Sequence, residues 1–459
     1  MAERTLRCIP VDPGHPTIVK DEDKCVGCGN CLDMCMENVG VVTRYLREGA
    51  VGPYPCVGCG QCTTVCPEGA LTVRSHVDAV KQAIADPDAI VVFSTSPAVR
   101  VGLGDAFGQK PGAFVEGQLV DALRQLGGDY VLDVTFAADL TVMEEGTEFL
   151  KRVVEGENLP QFTSCCPAWV RHAENHYPGI LPLISTAKSP ISMQGATIKT
   201  YFAEQMDISA ERIVSVAVAP CAAKKAEINR PELRDAGEYL GDGILRDNDY
   251  VITTQELAQW MKAEEITFAA LNPYVTYDRL LGRGSGGAVI FGNTGGVMEA
   301  ALRMAYTALT GERAPEELLD YAPVRGLSQV KGAEVAIAGT VIRVAVVHGL
   351  DAADRMIEGG YYKAFHFIEV MTCPGGCISG AGQPNAMVIP VPESLRKARI
   401  ASLYQNDGDV AMRYAMDNPE ITKIYNAFYG KPLSAMAKQL LHTRYGGCVY
   451  GESPGGVEE

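Results

Sequence analysis

Residues 213–227 read IVSVAVAPCAAKKAE. The first seven are β-branched or small and apolar, the composition of a strand buried on both faces. Pro220 ends the run one residue before Cys221. Outward from this segment the pattern repeats. AIVVFS (residues 89–94), YVLDVTF (130–136), VIRVAVVHG (341–349) and FHFIEVM (365–371) read as further strands. FVEGQLVDALRQLG (114–127) reads as an amphipathic helix ending at a glycine. Strands separated by helices predict an α/β catalytic domain, with parallel or mixed sheets flanked by helices, over residues 85–395.

Two regions differ from that pattern. Residues 25–80 carry two cysteine runs with little apolar periodicity. They predict a small α+β unit held together by its metal clusters, since so short a stretch has little core of its own. Residues 1–24 read as a polar extension, and QAIADPD (82–88) as a linker. Residues 396–459 read as a helical tail broken by proline and glycine and wrapped on the main domain.

The chain has 459 residues, a length that suggests about three compact units. Its formal net charge of −16 disfavours nucleic acid and anionic membrane as partners. No run of about 18 apolar residues appears. The opening MAERTLRCIPVDPGHP has no apolar signal core and no twin arginine, so a cytoplasmic location is the expectation. The positions of the 15 cysteines matter more than their number. Without a secretion signal, clustered cysteines in a large chain read as metal ligands.

The first run is Cys25-x2-Cys28-x2-Cys31-x3-Cys35, and the second is Cys56-x2-Cys59-x2-Cys62-x3-Cys66, followed by Pro67. This is the spacing of two-cluster bacterial ferredoxins, in which the fourth cysteine of each run ligates the other cluster. Cys25, Cys28, Cys31 and Cys66 are thus expected to hold one 4Fe–4S cluster, and Cys56, Cys59, Cys62 and Cys35 the second. Zinc knuckles are the alternative, but they need no such interlocking. Met36 stands where the second run has Pro67, which alters a turn and removes no ligand. Such a module passes single electrons, so a catalytic site must lie elsewhere.

Three dispersed segments share unusual chemistry: TSCCPAW (163–169), APCAAKKAE (219–227) and FIEVMTCPGGCISGAGQP (367–384). Adjacent cysteines, a cysteine at a strand end and a Cys-x3-Cys in a glycine-rich loop can converge on one metal centre. Four thiolates suit another 4Fe–4S cube and leave a fifth free.

In this order the three segments resemble the signatures of the iron-only (FeFe) hydrogenases. The resemblance extends to the two-cluster module and to the tail, which is similar to the family's small subunit. It implies the reaction 2H⁺ + 2e⁻ ⇌ H₂ at an H-cluster lying between two lobes. Cys166, Cys221, Cys373 and Cys377 would hold its 4Fe–4S cubane. Cys377 would also bridge to a two-iron subcluster with CO, cyanide and a bridging azadithiolate. Lys224, three residues after Cys221, would hydrogen-bond one cyanide. Ser96 and Pro97 would line the other, and Met371 would pack beside the dithiolate. Cys165 would be the final proton donor.

The resemblance also implies a proton path from Glu148 through Ser185 and Glu145 to Cys165, with an ordered water between members. Glu145 and Glu148, at i and i+3, share a helix face. Ferredoxin or a similar one-electron carrier, and dedicated maturation enzymes, would be the partners. Departures from the family pattern at Ala219, Ala98, Ser96, Ile191 and Ala381 are expected around the two-iron subcluster. A hydrogen sensor and an iron–sulfur assembly factor are the competing readings; an assembly factor would lack the thiol at Cys165 and the cation at Lys224.

Other features are expected to be inert. His172 and His176 read as part of a surface helix. Cys8 and Cys448 read as structural or incidental. Gly282-x-Gly284-x-x-Gly287 imitates a dinucleotide fingerprint, but it precedes the strand-like AVIF (288–291) instead of opening a helix. GNTGGVMEAALRMA (292–305) reads as the better helix start.

Overall fold

The buried run at residues 213–219 is strand β6 of a four-stranded parallel sheet. In the computed structural model, which describes residues 7–49, 53–384 and 392–446, this sheet has the order β4-β3-β6-β7. Its strands are β3 (Ile90–Thr95), β4 (Tyr130–Asp133), β6 (Ile213–Ala219) and β7 (Tyr250–Thr253). Alternation along β3 shows why it is central. Val91 and Phe93 point into one core with Leu119, Leu123 and Trp260, and Val92 points into the opposite core with Leu132, Phe136 and Phe202. Each such side chain contributes about 1.5–3 kcal/mol on burial.

A second four-stranded sheet has the order β5-β10-β9-β8. Here β5 (Gln161–Phe162) and β9 (Thr340–His348) run parallel to β10 (Phe367–Met371), and β8 (Val330–Ile337) pairs antiparallel with β9. Val344 and Val346 pack toward Phe149, Met298 and Leu302, while Ala345 and Val347 face the other way. The architecture is the expected α/β catalytic domain with mixed sheets flanked by helices, a small iron–sulfur-type α+β unit before it and a helical carboxy-terminal region after it.

The cysteine-rich unit shares a core with the second sheet. Ile18, Leu32, Val41 and Val42 join the same buried cluster as Trp169, Leu350 and Val347. Residues 1–24 were expected to be an extension, yet β1 (Ile18–Lys20) pairs antiparallel with β2 (Leu71–Val73). The unit therefore starts before Cys25. Residues 82–88 differ from a plain linker, because the helix Val77–Ala85 extends into them and buries Val80 against the first sheet.

Two further elements depart from expectation. The stretch 130–136 is strand only to Asp133, whose side chain accepts the Thr135 amide and starts the helix Val134–Glu155. The strand-like AVIF is helical, because Ser285 caps Gly286–Val289 by accepting the Ala288 amide. In the tail, buried Arg399 of the helix Glu393–Asp409 donates to Asp105 and, at 2.6 Å, to the Ile378 carbonyl. That bond ties the tail to the loop carrying Cys377. No helix among the described residues is long and apolar enough to cross a membrane.

Candidate metal centre and proton path

The dispersed cysteines lie past the carboxyl ends of parallel strands, where α/β sheets gather ligands. Cys221 follows β6, and Ser96 and Pro97 follow β3 of the same sheet. Cys165 and Cys166 follow β5, and Cys373 follows β10. The loops of the two sheets are laced together. Lys224 Nζ donates to the Cys165 carbonyl at 3.1 Å, and the Gly382 amide donates to the Pro220 carbonyl at 2.8 Å. The Cys373–Cys377 turn closes only because position 376 is glycine: φ is +96°, and a Cβ there would stand 2.6 Å from the Thr294 nitrogen.

The structure brings Cys166, Cys221, Cys373 and Cys377 within electrostatic reach of one another. Burial pushes the Cys221 thiol up to about 11, and the nearby Cys166 adds to the shift. Cys373 and Cys377 are raised first by burial and then by Cys221 and Cys166. Lys224 acts in the opposite sense on both Cys221 and Cys377. A thiol in so dry a place ionises only when a cation or a metal compensates.

The geometry also discriminates a cluster from a single ion. Four thiolates on one zinc would stand about 3.8 Å apart. Among the described residues the one group of three or more ligand atoms within 4.8 Å of each other is Glu299, Asp320 and Asp407. Guanidinium groups of Arg303, Arg325 and Arg413 already pair with these carboxylates. Among the described residues no three cysteine sulfurs lie within 4.8 Å of one another, so they are not drawn in around a single ion.

In the amino-terminal unit two separate cavities sort the eight cysteines. Cys25, Cys28, Cys31 and Cys66 line the outer one, together with Cys8. Cys35, Cys56, Cys59 and Cys62 line the inner one. The fourth cysteine of each run thus faces the other run's cavity. Backbone amides reach the sulfurs, as from Gly58 to Cys56 at 3.4 Å and Ile9 to Cys31 at 3.4 Å. The inner cavity adjoins the central site: Gln61 Nε2 donates to Cys373 Sγ at 3.3 Å and to the Ser379 carbonyl at 2.8 Å. Gly60 lies so close that a Cβ would come within 2.7 Å of the Ala222 methyl and 3.3 Å of the Ala381 methyl. The departure at Ala381 therefore bears on the junction with the cysteine-rich unit.

A chain of buried polar groups leads away from Cys165. Ser185 Oγ donates to Glu148 Oε2 at 2.7 Å. Glu145 is held by the Ser185 hydroxyl and the Ser164 amide, and its Oε1 has no partner among the described residues. Burial, reinforced by the charge of Glu148, pushes the Glu145 carboxyl up to about 8. The Cys165 thiol is raised by burial and then by Glu145, Cys166 and Cys377. Glu148 and Glu145 thus both neighbour Ser185, and Cys165 lies within electrostatic reach of Glu145.

Sequence reasoning missed two partners. Arg152 Nη2 donates to Glu148 Oε1 at 2.7 Å, and Glu227 pairs with Lys224 at 2.6 Å. Both lie at helical spacing from a singled-out residue, and that spacing was the available signal. Buried Lys224 is held charged: burial opposes the charge, but Glu227 and Cys221 outweigh it. Met371 packs in one apolar cluster with Phe291, Val297 and the partly buried Cys165. Ser96 and Pro97 are buried at the end of β3.

The surface reading of His172 is corrected. The ring is buried and sits 2.6 Å from Asp354 Oδ1, a carboxylate that also faces Arg44 of the cysteine-rich unit at 3.3 Å. Cys8 accepts from Lys20 Nζ at 3.1 Å. Cys448 lies outside the described residues.

Comparison with known proteins places these features together. Residues 89–381 match the profile of the iron only hydrogenase large subunit, C-terminal domain. Residues 393–447 match the iron hydrogenase small subunit, and residues 17–67 a 4Fe-4S dicluster domain. The chain is 44% identical over 448 residues to the NADP-reducing hydrogenase subunit HndD of Solidesulfovibrio fructosivorans, covering 94% of this chain and 74% of that one. It is 39% identical over 450 residues to iron hydrogenase 1 of Clostridium pasteurianum, covering 95% and 77%. Among solved structures, a variant of apo [FeFe]-hydrogenase HydA1 from Chlamydomonas reinhardtii superposes with a TM-score of 0.71 at 37% identity, covering 82% of this chain and 100% of that one.

Proposed function

The chain belongs to the iron-only hydrogenase family, and on that premise we propose that it interconverts protons, electrons and H₂ at an H-cluster. What supports this reading most is one arrangement: the partly buried Cys166, Cys221, Cys373 and Cys377 follow strand ends of two sheets whose loops are hydrogen-bonded together, with a fifth cysteine, Cys165, beside a carboxylate chain. In this reading Cys166, Cys221, Cys373 and Cys377 hold the cubane, and Cys377 also carries the two-iron subcluster with CO, cyanide and azadithiolate. When bound, that cofactor supplies the redox-active iron and the open coordination position that the chemistry requires.

The chain's own residues do the rest. Lys224 sets a fixed cation in the dry pocket, where it stabilises anionic ligands. Ser96 and Pro97 line the pocket on the first sheet, and Met371 closes it beside Cys165. Protons move inward from Glu148 through Ser185 and Glu145. Glu145, with its carboxyl raised to about 8, is neutral at pH 7 and can give a proton to Cys165. Cys25, Cys28, Cys31 and Cys66 would hold an outer cluster, with Cys28 exposed towards a carrier, and Cys35, Cys56, Cys59 and Cys62 an inner one beside Cys373; together they would supply one-electron transfer. A ferredoxin-like carrier serves as the outside partner. Maturation enzymes install the two-iron part, and the reaction takes place in the cytoplasm.

Cys165 and Lys224 favour the enzyme over an assembly factor, which needs neither. The deciding experiment is H₂ evolution from reduced viologen by the matured chain, with infrared bands of metal-bound CO and cyanide as the record of loading. Turnover that collapses in Cys165→Ala supports the proposal. A fully loaded chain with no turnover would instead make it a sensor or an assembly component.

A further inference from the structure

The carboxy-terminal segment lies directly over the outer end of the carboxylate chain. The Lys188 amide donates to the Leu441 carbonyl at 2.9 Å, and the Thr443 amide donates to the Thr186 carbonyl at 2.7 Å. Tyr445 OH donates to the Ser185 carbonyl at 2.7 Å. This pairing sets His442 against Thr186, whose hydroxyl lies 2.8 Å from His442 Nδ1 and 3.3 Å from Glu148 Oε1. Thr186 is exposed, and His442 is 8% exposed. The largely buried imidazole therefore reaches the first carboxylate, Glu148, through the more exposed Thr186 hydroxyl.

The other side of the ring is committed. His442 Nε2 lies 3.0 Å from Glu144 Oε2. Glu144 is fully buried and accepts also from the Leu433 amide at 2.8 Å and from the Tyr425 hydroxyl. A carboxylate so surrounded by donors fixes Nε2 as a donor and leaves Nδ1 as the exchanging nitrogen. Glu144 and Glu148 lie four residues apart on the helix Val134–Glu155, so one helix face holds both the orienting acid and the receiving acid. The charged and titratable groups facing the ring and its hydroxyl neighbour are Glu144, Tyr425, Glu148 and Arg152.

We propose that His442, carried by the carboxy-terminal segment, is a proton-transfer group at the outer end of the path and loads Glu148 through the Thr186 hydroxyl. The hop balances as follows. The Nδ1–H bond of the doubly protonated ring breaks as a new O–H bond forms at Thr186. The original hydroxyl proton passes to Glu148 Oε1, and the ring is left neutral until solvent recharges it. This rests on the hydrogenase reading above. It adds a function for the small-subunit-like tail, which supplies the mouth of the path as well as packing.

The test uses the matured full-length chain with reduced viologen in H₂O and D₂O. His442→Ala should lower H₂ evolution roughly tenfold or more, the scale of a lost proton-transfer group. It should also raise the solvent isotope effect, and added imidazole should restore the rate. Reduction of the iron–sulfur clusters, followed by electron paramagnetic resonance, should be unchanged. Thr186→Val keeps the ring and its Glu144 bond but removes the relay hydroxyl, and should show the same loss. Full activity with an unchanged isotope effect in either variant overturns the proposal. Inactivity of the unmodified, fully loaded chain is a different result: it overturns the hydrogenase reading, and the relay falls with it.

Discussion

Gln61 Nε2 donates to Cys373 Sγ across 3.3 Å. Gln61 sits between Gly60 and Cys62 of the second cysteine run, so a single side chain spans from the inner ferredoxin-type site to the central one. A hydrogen bond to a ligating sulfur withdraws charge from it and raises the cluster's reduction potential. Gln61→Leu preserves volume and removes the donor. With about 0.5–1.5 kcal/mol for a net hydrogen bond, the potential of the cubane at Cys373 should fall by roughly 20–60 mV. A redox titration followed by electron paramagnetic resonance reads this directly, and an unchanged potential would show that the contact carries no electronic weight.

Glu145 predicts a pH signature in stability. Its carboxyl titrates near 4.5 when free and near 8 in the fold, because burial and Glu148 oppose its charge. Below about 4.5 both states are protonated. Between 4.5 and 8 the folded state keeps a proton that the unfolded state has released, so stability falls as pH rises, by at most about 1.4 kcal/mol per pH unit. Glu145→Gln lacks this loss. Its melting temperature should match the parent's most closely at pH 5 and exceed it at pH 9. Its H₂ evolution should drop by roughly 10²–10⁴, since the amide cannot pass the proton on.

The two cavities predict crossed ligation. Cys35 belongs to the first run but lines the inner cavity, and Cys66 belongs to the second but lines the outer one. Cys35→Ser should therefore perturb the cluster nearest Cys373, and Cys66→Ser the cluster nearest exposed Cys28. Spin-coupling between the reduced inner cluster and the central cubane should be altered only in the first variant. Alteration by Cys66→Ser alone would mean that each run holds its own cluster.

Local signals made much of this legible from the chain. Strands β3 and β6 announce themselves because both faces are largely buried, so small and apolar residues predominate; β9 alternates over its first half and is apolar on both faces only from Val344 to Val347, and β10 is buried throughout but includes Glu369. The cysteine spacings are equally local. One miss is local, and the others depend on distant partners. YVLDVTF is as β-branched as a strand, and only the Asp133 side chain bonding to the Thr135 amide turns it into a helix. His172 looked solvated because nothing nearby in sequence shows Asp354 closing over it. The pairing of Ile18–Lys20 with Leu71–Val73 links positions some 50 residues apart, and no local pattern reports it. The contact of His442 with Thr186 has the same character.

Lys224 makes structural and chemical roles separable. Its Nζ pairs with Glu227 at 2.6 Å and donates to the Cys165 carbonyl at 3.1 Å, all in a buried setting. Lys224→Met leaves Glu227 as an uncompensated buried acid, and breaking a buried pair in this way costs about 3–5 kcal/mol. Adding Glu227→Gln removes that acid, so the double variant should regain most of the lost stability in thermal unfolding. H₂ evolution should not return with it. The cation that acts on Cys221 and Cys377 is still missing, and a neutral glutamine at position 227 supplies no charge to the pocket. Recovery of both properties together would reduce Lys224 to a counter-ion for Glu227; recovery of stability alone identifies its charge as part of the pocket's chemistry.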